Sequence, residues 1–104
     1  MNDRKQSLRK IQEAEQTMQS LLQQKQAFLN QKSEIEDALK ELEGAETAYQ
    51  IVANIMIKKS SDELSKNLSE QMEMIDLRIK TIEKQEDRIK EQMKEYQETV
   101  MKGD

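Results

Sequence analysis

The stretch Tyr49-Gln50-Ile51-Val52-Ala53-Asn54-Ile55-Met56-Ile57-Lys58-Lys59 decides the fold that this sequence predicts. It is the only run dense in β-branched and large apolar residues, and it lies near the midpoint of the 104-residue chain. Ala53-Asn54 is the natural turn, because asparagine tolerates a positive φ. The stretch therefore predicts a β-hairpin over about residues 48–59. A helix running straight through is the alternative, since Tyr49, Val52, Ala53 and Met56 also have helical spacing.

A long helix is predicted before the hairpin, over about residues 3–43. Asp3 is its expected N-terminal cap, and Gly44 suits the left-handed position just past its end. Apolar residues recur at positions a and d of a heptad, as in a coiled coil, although Lys25 and Lys32 occupy two of the a positions. The heptad residues are Ile11, Met18 and Leu39 at a, and Ala14, Leu21, Phe28, Ile35 and Leu42 at d.

A second long helix is predicted after the hairpin, over about residues 61–102. Ser60 and Glu63 have the spacing of a capping box, and Gly103 follows the predicted end. Glu86 is the one charged residue at an a position. The heptad residues are Met72, Ile79, Met93 and Val100 at a, and Leu68, Ile75, Ile82, Ile89 and Tyr96 at d.

The two helices fit each other in an antiparallel register in which paired residue numbers sum to 107. Every a position then meets a d position, and we expect each charged a residue to face an apolar partner with its head in water. In this register Lys25 faces Ile82, Lys32 faces Ile75 and Glu86 faces Leu21. A parallel dimer would instead set lysine against lysine. We therefore predict one domain, residues 1–104, built as an antiparallel two-helix coiled coil joined by the hairpin.

The hairpin itself predicts oligomerisation. A two-stranded hairpin alone is marginally stable in water, and this one would leave both edges unpaired and both apolar faces uncovered. Other chains are expected to supply strands that close the sheet and bury its second face. The residues predicted to carry this assembly are Tyr49, Ile51, Val52, Ile55, Met56 and Ile57.

Composition excludes several classes of function. Charged residues make up 37% of the chain and hydrophobic ones 35%, which is too little apolar material for a globular core. The chain has no histidine, no cysteine and no glycine-rich phosphate loop, so we expect no enzyme, no metal and no cofactor. The net charge of −4, with both signs interleaved, argues against nucleic-acid binding. No apolar run could span a bilayer, and a cytoplasmic protein is expected.

The hairpin stretch resembles the Tyr-Lys-x-x-Gly-Asn-x-Leu-(Ile/Val)-(Lys/Arg) hairpin of the prefoldins, in particular that of archaeal β-class subunits. Asp62-Glu63-Leu64 and Leu77-Arg78-Ile79-Lys80-Thr81-Ile82-Glu83-Lys84-Gln85-Glu86 resemble the second helix of that family, and Leu21-Leu22-Gln23-Gln24-Lys25-Gln26 is similar to a glutamine-rich run in its first helix. One departure is Ala53, where the family usually has glycine.

The resemblance implies an assembly of two α-class and four β-class subunits, with a double β-barrel carrying six coiled coils. It also implies an ATP-independent co-chaperone that holds non-native proteins at the coiled-coil tips and passes them to a group II chaperonin. In this sequence the tips are the chain ends, and the expected client-binding residues are Leu8, Ile11, Met93, Tyr96, Val100 and Met101. The rival hypothesis is a coiled-coil adaptor or spacer that only dimerises; in it these residues only complete the last heptads.

Overall fold

The protein forms two long helices separated by one β-hairpin, in a computed structural model that describes residues 2–102. The order of elements is α1 (Asn2–Leu42), β1 (Thr47–Val52), β2 (Ile55–Ser60) and α2 (Ser61–Lys102). The prediction of a mainly helical chain with a central hairpin is confirmed, and the alternative of a helix through the central stretch is wrong. Gly103 lies outside the described residues.

The chain divides into two compact units. The terminal unit combines the described residues up to Ala27 with those from Ile79 onward. The central unit runs from Phe28 to Arg78 and contains the hairpin.

The first helix begins earlier than the sequence indicated. Asp3 lies inside the first turn of α1, so the prediction that it caps the helix from outside is wrong. Its carboxylate is still favourable there, because the N-terminal end of a helix carries a partial positive charge. At the other end Gly44 has a φ of 78°, the left-handed conformation expected just past a helix.

The hairpin closes through a two-residue loop. Val52 pairs with Ile55, and the intervening Ala53 and Asn54 have φ values of 49° and 65°. Positive φ at both central residues is the signature of a type I′ turn, whose twist matches that of the flanking strands. The register runs without a bulge to Thr47 opposite Ser60, so the turn predicted from Ala53-Asn54 is present.

The second helix starts directly from the end of β2. The Ser60 hydroxyl oxygen accepts a hydrogen bond from the backbone N–H of Glu63 at 3.2 Å, which is the capping contact that the sequence predicted. The Ser61 N–H donates to the Glu46 carbonyl at 3.2 Å, and the Ser61 hydroxyl donates to the Ala45 carbonyl. The buried serine thus ties the start of α2 to the segment that leads into β1.

The apolar seam between the helices follows the predicted heptad. The buried hydrophobic residues all occupy d positions; they are Ala14, Leu21, Ile75 and Ile82. Among the described residues no large side chain is fully buried, because two helices alone cannot surround a side chain. The seam is antiparallel in each unit: Lys10 meets Tyr96 in the terminal unit, and Lys32 meets Asp76 in the central unit.

Candidate functional site

One face of the hairpin presents a continuous apolar surface to solvent. Residues paired across an antiparallel ladder share a face, so Ile51 lies beside Met56, and Tyr49 lies beside Lys58. Tyr49, Ile51 and Met56 expose 60%, 70% and 66% of their surface. Neighbouring large apolar residues with this exposure are typical of a surface that contacts another molecule.

The opposite face is apolar near the turn and polar near its base. Val52 lies beside Ile55, and Ile57 lies beside Gln50. The three large apolar residues of this face are exposed, although Ile57 less than Ile55. Within the described residues the sheet has two strands only, so both of its edges lack a backbone partner in this chain.

The six residues predicted for assembly therefore lie together on the hairpin, three on each face. All six are exposed. Their role in joining subunits stays a prediction.

The predicted client-binding residues fall into two groups. Leu8 and Met101 are exposed, and Met101 is the most exposed of the large hydrophobic residues described, at 87%. The other four are half-buried at seam positions; they are Ile11, Met93, Tyr96 and Val100. The Lys10 ammonium lies 5.5 Å from the centroid of the Tyr96 ring, a cation–π contact that covers one side of that ring.

Two ion pairs link the helices, and sequence reasoning missed both. Lys25 Nζ lies 2.8 Å from Glu86 Oε1 in the terminal unit, and Lys32 Nζ lies 2.9 Å from Asp76 Oδ1 in the central unit. The expectation that Lys25 and Glu86 keep separate heads in water is wrong, because the carboxylate is buried. The residue predicted to face Glu86 is Leu21, which lies one helical turn before Lys25 in α1. The lysine side chain extends along that turn to reach the carboxylate.

Both ion pairs shift the titration of their lysines. The hydrogen bond to Glu86 holds the pKa of Lys25 above its ordinary value of 10.5, against a smaller opposing effect of desolvation. The hydrogen bond and charge of Asp76 likewise raise the pKa of Lys32. The sequence shows lysine at two a positions and glutamate at one. The Lys25–Glu86 pair could have been predicted from it by allowing a lysine to contact the residue one helical turn away from its facing partner.

The described part of the chain offers neither a metal-binding cluster nor a helical stretch that could span a membrane. No group of three or more side chains from His, Cys, Asp and Glu is placed to hold a metal ion there. Neither α1 nor α2, over the same residues, contains a stretch long and apolar enough to cross a membrane.

The described residues thus form two units, each with an antiparallel helical seam, and a hairpin whose large apolar side chains are exposed. A family model described as "Prefoldin subunit" matches residues 5–103, nearly the whole chain. The chain belongs to the prefoldin family, and the resemblance seen in its hairpin is confirmed. Prefoldin subunits are chaperone subunits that act as co-chaperones, and they are not enzymes.

Individual relatives carry the same description. The chain is 33% identical over 93 residues to prefoldin subunit beta of Archaeoglobus fulgidus, a match covering 80% of each chain. It is 32% identical over 96 residues to prefoldin subunit beta of Methanothrix thermoacetophila, covering 89% of this chain and 80% of the relative. Its fold matches the crystal structure of the prefoldin beta subunit from Thermococcus strain KS-1 with a TM-score of 0.89 at 25% identity, covering 95% of this chain and 90% of that one.

Proposed function

We propose that this chain is the β-class subunit of a hetero-hexameric holdase, made of two α-class subunits and four copies of this chain. The hexamer holds non-native proteins at the coiled-coil ends and delivers them to a group II chaperonin in the cytoplasm without ATP. The observation that carries the proposal is the hairpin, which is apolar on both faces and unpaired at both edges.

The hairpin supports an assembly in which strands from several chains close a β-barrel. A sheet of two strands cannot satisfy its edges or cover its faces, whereas closure with strands from other chains removes the edges altogether. Exposed Tyr49, Ile51 and Met56 on one face supply the large side chains that interface centres favour. The native mass of the chain, alone and mixed with an α-class partner, tests this stoichiometry by light scattering after size exclusion.

Charging the hairpin should prevent assembly. We expect Ile55→Glu with Ile57→Glu to yield free subunits, since an unpaired charge buried in an interface costs about 3 kcal/mol or more. Both residues lie on one face, so the change is confined to that face. The matched control is Leu22→Glu with Met74→Glu, two residues of comparable exposure outside the hairpin. A hexamer retained by the hairpin variant would refute the assembly role.

The chain ends support the binding of non-native proteins. Leu8 and Met101 are exposed there, and methionine adapts to varied partners because it is unbranched and polarizable. A holdase needs a surface of this kind, since its clients share exposed apolar segments rather than a sequence.

Removing apolar surface at the chain ends should abolish the suppression of aggregation. We expect Leu8→Ser, Tyr96→Ser and Met101→Ser together to leave the oligomer intact while a chemically unfolded client aggregates as fast as without the protein. Light scattering of the client during dilution from denaturant measures this effect. Serine at three exposed apolar positions elsewhere, Leu22, Leu29 and Met74, is the control and should suppress aggregation normally. Unchanged suppression by the first variant contradicts the role of the chain ends.

The spacer hypothesis predicts the opposite result in the native-mass, hairpin-variant and aggregation assays. An adaptor that only dimerises would ignore the α-class partner, tolerate charge on the hairpin and leave aggregation unaffected.

A further inference from the structure

A groove runs along one flank of the terminal unit, between α1 and α2. It consists of two cavities of about 310 and 320 Å³. Thr17, Ile89 and Gln92 line both of them, so the cavities adjoin and form one continuous groove.

The floor of the groove is apolar and belongs to the seam itself. Ala14, Leu21, Ile89 and Tyr96 line it, and all four occupy d positions of the heptad. Ala14 is short where the later d positions of α1 carry a leucine, isoleucine or phenylalanine, and the space it leaves opens to the flank. The seam is therefore incompletely packed on one flank beside Ala14. An apolar side chain of another molecule could make van der Waals contacts there.

The walls of the groove carry hydrogen-bonding groups without charge. Thr17, Gln85 and Gln92 all occupy g positions and are exposed, so they face the same flank of the coiled coil. Each glutamine amide can both donate and accept, which suits the backbone N–H and C=O groups of an extended peptide and not any particular side chain.

The rim adds a positive bias. Lys10 and Glu13 border one end of the groove, and Arg88 borders the other. The lining therefore carries two cations and one carboxylate, in a chain whose net charge is −4. A segment with carboxylates beside its apolar residues complements this rim better than one with lysines.

We propose that this groove binds an extended segment of non-native protein in which apolar side chains adjoin acidic ones. The apolar side chains contact the floor at Ala14 and Ile89, the peptide backbone bonds to Gln85 and Gln92, and a carboxylate pairs with Arg88. The inference rests on the proposed holdase function and extends the client contact from the chain ends to the flank of the coiled coil.

Binding of two matched peptides to the full chain tests the groove. Each is a fluorescein-labelled peptide in which leucine alternates with serine, ending in two glutamates in one case and two lysines in the other. Fluorescence anisotropy gives the dissociation constants. We expect the glutamate-ended peptide to bind more tightly. The double variant Gln85→Glu with Gln92→Glu should weaken its binding at least about tenfold, a loss of about 1.4 kcal/mol.

Two further variants separate the groove from general charge effects. Gln16→Glu with Gln23→Glu makes the same chemical change at exposed f positions of α1, away from the groove, and should leave both affinities unchanged. Arg88→Gln should remove the preference for the glutamate-ended peptide. Equal binding of the two peptides by the unmodified chain, or unchanged binding by the groove variants, overturns the proposal.

An aggregation assay on the same proteins tests the holdase function separately from peptide binding in the groove. An unmodified protein that fails to suppress aggregation refutes the proposed function, whatever the peptides do. Groove variants that bind the peptides normally while the unmodified protein suppresses aggregation overturn the groove alone. Loss of suppression in the groove variants, with the Gln16 and Gln23 control unaffected, supports both.

Discussion

Ala53 occupies a backbone conformation that alanine rarely adopts. Its φ of 49° lies in the left-handed region, where a Cβ atom crowds the neighbouring carbonyl oxygen. Asn54, with a φ of 65°, tolerates the same region more easily because its short polar side chain can bond locally. The type I′ turn is therefore formed despite one unfavourable residue, and the strand register on both sides holds it in place.

Replacing Ala53 by glycine should stabilise the protein. We expect Ala53→Gly to raise the free energy of unfolding by about 1 kcal/mol, since relief of the left-handed strain exceeds the added entropy of the unfolded chain. Urea unfolding followed by circular dichroism measures the change. Ala27→Gly, at an exposed site inside α1, is the control and should lower stability by about 1 kcal/mol. A loss of stability in Ala53→Gly would show that the turn is not strained.

At the scale of the helices, the ion pair between Lys25 and Glu86 is the feature that the apolar pattern does not explain. Glu86 is buried at a seam position, and its partner is held at 2.8 Å. Taking two charges out of water is costly, so such a pair adds little net stability compared with apolar residues of similar size. We expect the pair to act on the alignment of the two helices instead, because an axial shift of one helix would separate the two groups.

A double-mutant cycle separates alignment from stability. Glu86→Leu alone should lower the melting temperature, because it leaves the Lys25 ammonium against an apolar seam without its partner. Lys25→Met with Glu86→Leu should restore the melting temperature to that of the unmodified protein or above it. Thermal unfolding followed by circular dichroism gives all four corners of the cycle. A double variant whose melting temperature stays below that of the unmodified protein would show that the ion pair stabilises the fold more than the two apolar residues do.

How far the sequence predicts this structure depends on the kind of signal. The hairpin was predictable because Ala53-Asn54 sits between two apolar runs, and Gly44 and Ser60 mark the helix ends on either side. The heptads likewise placed the buried residues. The Lys25–Glu86 pair was missed because the predicted register pairs only residues directly opposite each other. A lysine side chain is long enough to contact a residue one helical turn away. Asp3 was misplaced because helix ends shift by a residue or two.

The candidate sites were predictable to a smaller extent. The apolar residues of the hairpin and the chain ends were visible as residue types in a pattern. The groove was not, because it depends on which flank of the seam the small Ala14 leaves open, and periodicity alone does not distinguish the two flanks. In the sequence, the glutamines that line its walls are not distinguishable from the other glutamines of the chain.

For the molecule as a whole, the two ion pairs predict how stability responds to alkaline pH. Lys25 and Lys32 have raised pKa values in the folded state. The folded state therefore binds the protons of these two lysines more tightly than the unfolded state does. Their contribution is complete below the ordinary lysine pKa of 10.5 and is lost as pH rises through the higher folded values. Near neutral pH their contribution should therefore be constant, and stability should fall as pH rises above about 10.5.

Melting temperatures measured from neutral to strongly alkaline pH check this sign. The variant Lys25→Gln with Lys32→Gln is the control: it starts lower, and its melting temperature should decline less steeply in the alkaline range. Parallel curves for the two proteins would show that neither lysine is linked to folding.

The placement of the two tyrosines makes the chain its own spectroscopic reporter. The sequence has no tryptophan, and its two tyrosines divide between the two candidate sites. Tyr49 lies exposed on the hairpin, and Tyr96 lies half-buried against Lys10 beside the groove. Replacing either one by phenylalanine leaves a single phenol whose emission reports on the hairpin alone or on the groove alone. Any tryptophan signal in a mixture comes entirely from the bound client or from another subunit.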